Sequence, residues 1–132
     1  MKQRIVRRLM GTLLACAAVP TAVAAPLSPT VHAELHALML RLAASGCEFS
    51  RNGQWHSSSD AKTHLLRKLE HMSDHGAVRT TEQFIEHAAA SSSMSGQPYW
   101  VRCPGAAAIP SKTWLSAQLQ LIRAPARPAS AP

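Results

Sequence analysis

Apolar residues recur at intervals of three or four in several stretches of this chain, a spacing that places them on one face of a helix. The first such stretch follows Ser28-Pro29, an N-cap serine and a proline suited to the first helical turn, and stops at Ser45-Gly46. The second follows the capping oxygens of residues 57–60 and stops near His75-Gly76. Both stretches therefore predict amphipathic helices. Their apolar positions are Val31, Leu35, Leu38 and Leu42 in the first, and Ala61, Leu65, Leu69 and Met72 in the second.

Two further helices are predicted downstream. Thr80 and Gln83 have the spacing of a capping box, in which each side chain bonds the other residue's backbone, and an apolar stripe follows them. Ser111 is the expected N-cap of the last helix. The inward positions of these helices are Phe84, Ile85, Ala88 and Ala89 in the third, and Trp114, Leu115, Leu119 and Ile122 in the fourth.

Short strands are predicted between these helices. Asn52-Gly53 is a dipeptide that adopts positive φ at low cost, so it marks a tight turn between strands at 47–49 and 54–56. Residues 99–103 are aromatic and β-branched, which favours a third strand. The fold class expected is α+β, with about four helices packed on a small two- or three-stranded antiparallel sheet.

The two ends of the sequence have a different character from the segment between them. Residues 1–24 combine a basic start, an apolar stretch at 9–19 and the small residues Ala22-Val23-Ala24, which is typical of a cleaved secretory signal peptide. Residues 13–16 also resemble a lipobox, in which Cys16 would be acylated instead. We expect a single domain at 25–123 and a disordered Pro/Ala tail at 124–132.

Removing the signal changes the charge balance. The chain has 14 Lys+Arg and 7 Asp+Glu, and four of the basic residues lie in the signal, which leaves 10 − 7 = +3. The remaining bases are scattered rather than clustered, so nucleic acid is not an expected partner. The apolar part of the signal is too short to span a bilayer, and no membrane span is expected elsewhere.

Cys47 and Cys103 remain after cleavage. Two cysteines in an oxidising compartment are most simply one disulfide, although two free thiols or a catalytic pair remain alternatives. A periplasmic or secreted location and a bridge between these residues are therefore mutually consistent predictions.

Four short motifs in the central half of the chain resemble those of the YfeK-like family, which consists of small exported bacterial proteins of unknown function. They occur in the same order and at similar spacing between Phe49 and Val101. The resemblance implies no activity. The motifs are Arg51-Asn52-Gly53-x-x-His56, Ala61-x-x-His64-Leu65-x-x-Lys68, Thr80-x-Glu82-Gln83-Phe84-Ile85 and Gly96-x-Pro98-Tyr99-x-Val101.

The same motifs collect cations, turn amides and hydroxyl groups, which are suited to holding a carboxylate or phosphate. We therefore predict a non-enzymatic binding or envelope-interaction module. Its partner would be an anionic small molecule, a cell-wall fragment or an envelope protein, and no cofactor is expected. The candidate binding residues are Arg51, Asn52, Gly53, His56, His64, Lys68, Ser93, Ser95, Gly96 and Tyr99.

Two other classes of function remain open. A small hydrolase could use His56 or His64 as base and a serine of residues 91–95 as nucleophile, but no carboxylate is visibly placed to orient the base. A metal-binding protein could use His64, His71 and His75, which fall on one side of the second helix, although Lys68 lies among them and repels cations. Ser59 and Lys62 match Ser-x-x-Lys, but the Lys-Thr-Gly strand that accompanies this motif is absent.

Overall fold

The computed structural model describes residues 17–125. Cys16, most of the predicted signal and residues 126–132 of the predicted tail lie outside this range. The helices are α1 (Pro29–Ala44), α2 (Ser58–Asp74), α3 (Thr81–Phe84, continued by a π-helical segment, Ile85–Ala89) and α4 (Ser111–Arg123). The strands are β1 (Glu48–Arg51), β2 (Gln54–Ser57), β3 (Trp100–Arg102) and β4 (Ile109–Pro110).

The strands form one antiparallel sheet in the order β2-β1-β3-β4. Phe49 is the register partner of both His56 and Val101, so these three residues share one face of the sheet. The predicted α+β class is confirmed. The sheet has four strands rather than two or three, because the short strand β4 adds to its edge beside β3.

The turn between β1 and β2 is the one predicted from the dipeptide. Asn52 and Gly53 have φ values of 50° and 80°, which is the left-handed region that asparagine and glycine tolerate best. The turn places Arg51 and Gln54 opposite one another at the end of the hairpin. It also fixes the alternation that directs Arg51 to the same face as Phe49.

The hydrophobic core lies between the helices and one face of the sheet. Leu38, Leu42, Phe84 and Leu115 are fully buried there, and Phe49 packs edge-on against Trp114 with ring centroids 5.6 Å apart. The apolar stripes of all four helices contribute, as their spacing predicts. No helix among residues 17–125 has the length and apolar character needed to cross a membrane.

A disulfide joins Cys47 to Cys103, as predicted. It links the residue before β1 to the residue after β3, so it closes the end of the strand pair where Glu48 and Arg102 are register partners. The paired ends of these strands are therefore held together covalently as well as by the ladder of hydrogen bonds.

The expected role of Ser111 as an N-cap is wrong. Pro110 occupies the cap position without a side-chain hydrogen bond, and Ser111 is the first helical residue. Its backbone N–H donates to the carbonyl of Tyr99 instead, at 2.9 Å. The reason is that β4 runs directly into α4, so this N–H is used by the neighbouring chain segment.

Candidate binding cleft

A cleft of about 260 Å³ lies between the first half of α2 and the β1-β2 hairpin. Its apolar wall is built by the core-facing residues Phe49, Ala61 and Leu65. Its polar wall carries guanidinium, imidazole, phenol, hydroxyl and carboxylate groups. The polar lining residues are Ser50, Arg51, His56, Asp60, Thr63, His64, Arg67, Tyr99 and Ser111.

Three side chains form a hydrogen-bonded row at the centre of this wall. Nη1 of Arg51 lies 2.7 Å from Nδ1 of His64, and Nε2 of His64 lies 3.3 Å from the hydroxyl oxygen of Tyr99. The rings of His64 and Tyr99 meet edge to face, with centroids 6.2 Å apart. The row therefore connects the hairpin, α2 and the segment before β3.

Burial and neighbouring charge keep His64 neutral. Burial, and then the positive charges of Arg51 and Lys68, lower the pKa of His64 to about 4. Burial is also the largest cause of the raised pKa of Tyr99. Both rings are therefore uncharged at neutral pH.

Lys68 lies one helical turn beyond His64 and beside the same phenol. Its Nζ lies 5.2 Å from the centroid of the Tyr99 ring and donates a hydrogen bond to the backbone carbonyl of Ser91 at 3.2 Å. Burial, and then the charge of Arg51, lower the pKa of Lys68. The ammonium group thus lies in a half-buried position close to other cations.

The positive charge of this wall is not balanced by ion pairs. Among residues 17–125, salt bridges do not involve Arg51, Arg67 or Lys68, whereas Arg102, Lys112 and Arg123 each bind a glutamate. Asp60 supplies the carboxylate that lines the cleft. The lining therefore has an excess of positive charge. Three further cations in this range, Arg41, Lys62 and Arg79, also make no salt bridge, but they line neither this cleft nor the next cavity.

His56 adds an unpaired polar atom. Its Nε2 is buried and has no hydrogen-bond partner in the structure. Buried polar atoms are nearly always paired in folded proteins, because leaving one unpaired costs about 1–3 kcal/mol. This cleft-lining residue therefore carries a buried nitrogen whose desolvation is not offset by a hydrogen bond.

The serine-rich loop after α3 is fastened to the hairpin. The hydroxyl of Ser95 donates to Oδ1 of Asn52 at 2.8 Å, and the backbone N–H of Gly96 donates to the carbonyl of Ser92 at 2.9 Å. Gly96 has a φ of 71°, so the turn uses the conformation that glycine adopts without strain. The loop is thus held beside the turn rather than free of it.

A second cavity of about 270 Å³ continues along α2. His64 and Arg67 line both cavities, which makes them the partition between the two. In the second cavity, Met72 supplies the apolar side chain of the lining. Its lining residues are His64, Arg67, Lys68, His71, Met72 and Ser93.

The structure brings most of the predicted binding residues into one region. Arg51, His56, His64 and Tyr99 line the cleft itself. Lys68 and Ser93 line the second cavity. The remaining four predicted residues form the turn and the loop fastened to it. They are Asn52, Gly53, Ser95 and Gly96.

The sequence reasoning missed Arg67, which lies in the middle of the wall. A signal was present, because Arg67 is three residues after His64 and so lies on nearly the same face of α2. It also missed Asp60, Thr63 and Ser111, which line the cleft as well. In the sequence these residues look like helix caps or ordinary helix positions, so nothing connects them with a site.

The predicted hydrolase arrangement has no matching hydrogen bonds in the described part of the chain. Both nitrogens of His64 are engaged, one by Arg51 and the other by Tyr99. A general base needs a free lone pair directed at its nucleophile. No hydrogen bond within residues 17–125 joins His56 or His64 to a serine of residues 91–95, so the geometry gives this chemistry no support.

The three histidines considered as metal ligands are used separately. His64 belongs to the row with Tyr99, whereas Nδ1 of His75 lies 2.7 Å from the carbonyl oxygen of His71. Within the described range, no three His, Cys, Asp or Glu residues are grouped closely enough to hold a metal ion.

Comparison with known sequences identifies the family of this chain. The model of the "Family of unknown function (DUF5329)" matches residues 29–123, which is nearly the whole of the folded region. The chain belongs to this family.

The chain is also similar to a named bacterial protein. The "Uncharacterized protein YfeK" of Salmonella typhimurium is 43% identical over 51 residues, which cover 39% of this chain and 41% of that relative. The match thus spans less than half of that relative's length. No solved structure matches the chain. The predicted YfeK-like membership is confirmed, and membership assigns no activity.

Proposed function

We propose that this chain is an exported domain that binds a small anionic ligand in the cleft between α2 and the β1-β2 hairpin. The observation that carries the proposal is the group of three cations, Arg51, Arg67 and Lys68, none of which makes a salt bridge within the described residues. Asp60 offsets part of their charge. An anion would offset the rest.

The electrostatic cost of this group supports the proposal. Burial, and then the positive charge of Arg51, lower the pKa of Lys68, so these two cations repel one another. Like charges held close together in a half-buried wall reduce stability. A bound carboxylate or phosphate would remove that repulsion and add charge-assisted hydrogen bonds.

The chemistry of the wall favours oxyanions. A guanidinium presents N–H groups in a planar fork that matches carboxylate and phosphate oxygens, and Arg51 and Arg67 both line the cleft. The cleft is smaller than the 300–1,000 Å³ usual for drug-sized ligands. A small anion or one end of a larger molecule would fill it.

Export is part of the proposal. Residues 1–24 have the composition of a signal peptide. The Cys47–Cys103 disulfide supports the same view, because such bonds persist in oxidising compartments such as the periplasm. Fractionation of cells followed by mass spectrometry of the N-terminus tests it. Recovery of an uncut chain from the cytosol would contradict export.

Thermal unfolding of the protein as the cell produces it tests binding. Phosphate and N-acetylglutamate are the anionic probes, and sodium chloride at equal ionic strength is the control. At ten times Kd, a ligand stabilises the folded state by about 1.4 kcal/mol. For a domain of this size, that raises Tm by about 6–10 °C.

A charge-matched pair of variants shows whether the shift comes from the cleft. Arg67→Gln removes a lining cation, whereas Lys62→Gln removes a cation on the same helix that lines a different groove. The shift should fall by at least half in Arg67→Gln and remain in Lys62→Gln. Equal shifts in both variants, or no shift with either probe in the parent protein, would refute binding at the cleft.

A further inference from the structure

The two cavities along α2 form one groove whose cations lie near its middle. Ala61 lines the first cavity and Met72 lines the second, and their separation of eleven positions corresponds to about 17 Å along a helix. His64 and Arg67 form the partition between the cavities. The groove is therefore much longer than a single phosphate or carboxylate.

Each of the two cavities contains apolar side chains as well as polar ones. Phe49, Ala61 and Leu65 line the first cavity, and Met72 lines the second. A polyphosphate would leave these apolar side chains without partners. The ring face of Tyr99, which a sugar could stack against, is already occupied by Lys68 at 5.2 Å. The lining fits a ligand that has apolar groups on both sides of a central anion.

We propose that the groove binds a short acidic peptide in an extended conformation, and this proposal rests on the proposed function above. An extended chain advances about 3.3 Å per residue, so about five residues match a length of about 17 Å. The acidic residue lies against Arg67 and Lys68, and its apolar neighbours occupy the two cavities. The cations fix the register, and the cavities select for length.

Calorimetric titration with three probes tests the proposal. The probes are the pentapeptide acetyl-Leu-Ala-Glu-Ala-Leu-amide, the same peptide with glutamine in place of glutamate, and the single-residue analogue acetyl-Glu-amide. The pentapeptide should bind at least tenfold more tightly than either of the others. A glutamine peptide that binds equally well would overturn the role of the central anion.

A bulky substitution tests whether peptide binding requires the second cavity. Ser93→Trp places an indole in the second cavity, and the matched control is Met94→Trp, since Met94 is 99% exposed and lines neither cavity. We expect Ser93→Trp to weaken the pentapeptide at least tenfold but acetyl-Glu-amide by less than threefold, because the single residue needs only the edge of the second cavity beside Lys68. Met94→Trp should alter neither affinity.

The failures of the two proposals are distinguishable. If acetyl-Glu-amide binds but the pentapeptide gains nothing, or if Ser93→Trp binds it as well as the parent, the ligand occupies only the first cavity and the peptide proposal is wrong. The anion-binding function itself is wrong if neither the pentapeptide nor acetyl-Glu-amide binds, even at millimolar concentration and in 20-fold excess over the protein. A stem peptide containing D-glutamate, titrated alongside, tells cell-wall peptides from ordinary ones by their relative affinities.

Discussion

Nη1 of Arg51 donates a hydrogen bond to Nδ1 of His64 at 2.7 Å. A guanidinium has no acceptor, so Nδ1 must offer its lone pair and the proton of the neutral ring must be on Nε2. That proton faces the hydroxyl of Tyr99 at 3.3 Å. Protonating the ring would place two donors against each other, so this row of side chains depends on a neutral imidazole.

We expect stability to fall in acid because of this histidine. The pKa of His64 is about 4 in the folded state, below the 6.5 of a free imidazole, so the unfolded chain binds a proton first as pH decreases. The contribution of neutral His64 to the free energy of unfolding is complete above about pH 6.5 and is lost as the pH falls from about 6.5 to 4. Because the ring is only half-buried, solvent screening should limit the loss to about 1–2 kcal/mol.

Two measurements check this expectation. Urea unfolding at pH 7.5 and pH 4 should show a smaller acid loss in His64→Gln than in the parent protein, since the other titrating groups are common to both. NMR titration of the ring should place its midpoint near 4. A midpoint near 6.5, or identical acid losses in the two proteins, would contradict the proposed cause.

The side chain and the backbone of Asn52 have separable roles. Asn52→Gly keeps the positive φ of 50° accessible but removes the oxygen that accepts the Ser95 hydroxyl at 2.8 Å. The hairpin should persist, with stability reduced by less than about 1 kcal/mol. The loop should loosen, so the amide hydrogens of Ser95 and Gln97 should exchange at least fivefold faster.

Asn52→Asp is the control for that loop, because it keeps a side-chain oxygen and a residue that tolerates positive φ. Hydrogen exchange followed by NMR should give nearly parental rates in this variant. Unchanged exchange in Asn52→Gly would mean that the bond between the turn and the loop does not hold the loop in place.

Reduction of the disulfide should destabilise the fold strongly. Cys47 and Cys103 are 56 positions apart, and a loop of this length corresponds to about 4 kcal/mol in the chain-entropy description of cross-linking. That is a large part of the 5–15 kcal/mol typical of small domains. Urea unfolding with and without a reductant measures the difference, and coincident curves would show that the bond adds nothing.

Two leucines of α4 provide a matched test of the core. Leu115 is fully buried, whereas Leu121 is 55% exposed on the same helix. Leu115→Ala should lower the free energy of unfolding by about 2–5 kcal/mol, because it removes contacts and leaves a cavity. Leu121→Ala should change it by less than about 0.5 kcal/mol. Similar losses in the two variants would show that α4 does not pack by the face described.

Local signals could be read from the sequence because the interactions behind them act over a few residues. The capping box joins Thr80 to Gln83, and the positive φ values belong to two adjacent residues, Asn52 and Gly53. The disulfide could also be predicted, because two cysteines remained once the signal was set aside. A disulfide between residues far apart in the sequence could be deduced here only because two remaining cysteines allow a single pairing.

The edge of the sheet could not be predicted in the same way. Strand β4 has two residues, one of them Pro110, and its pairing with β3 depends on where the chain returns after the disulfide. In the same segment, the backbone N–H of Ser111 donates to the carbonyl of Tyr99, and Pro110 rather than Ser111 occupies the cap position of α4. The π-helical segment Ile85–Ala89 likewise has no simple signature in its apolar spacing.

By itself, the amino-acid sequence determined the four helices, the hairpin turn and the family, since periodicity, caps and motifs are local properties of the chain. Only the tertiary structure decided that Arg51, His64 and Tyr99 form one row, although His64 and Tyr99 are 35 positions apart. It also decided that three cations without carboxylate partners in the described range, Arg51, Arg67 and Lys68, line adjoining cavities. The reason is physical: charge balance and desolvation depend on which side chains share a wall in space, and packing of the whole core sets that arrangement.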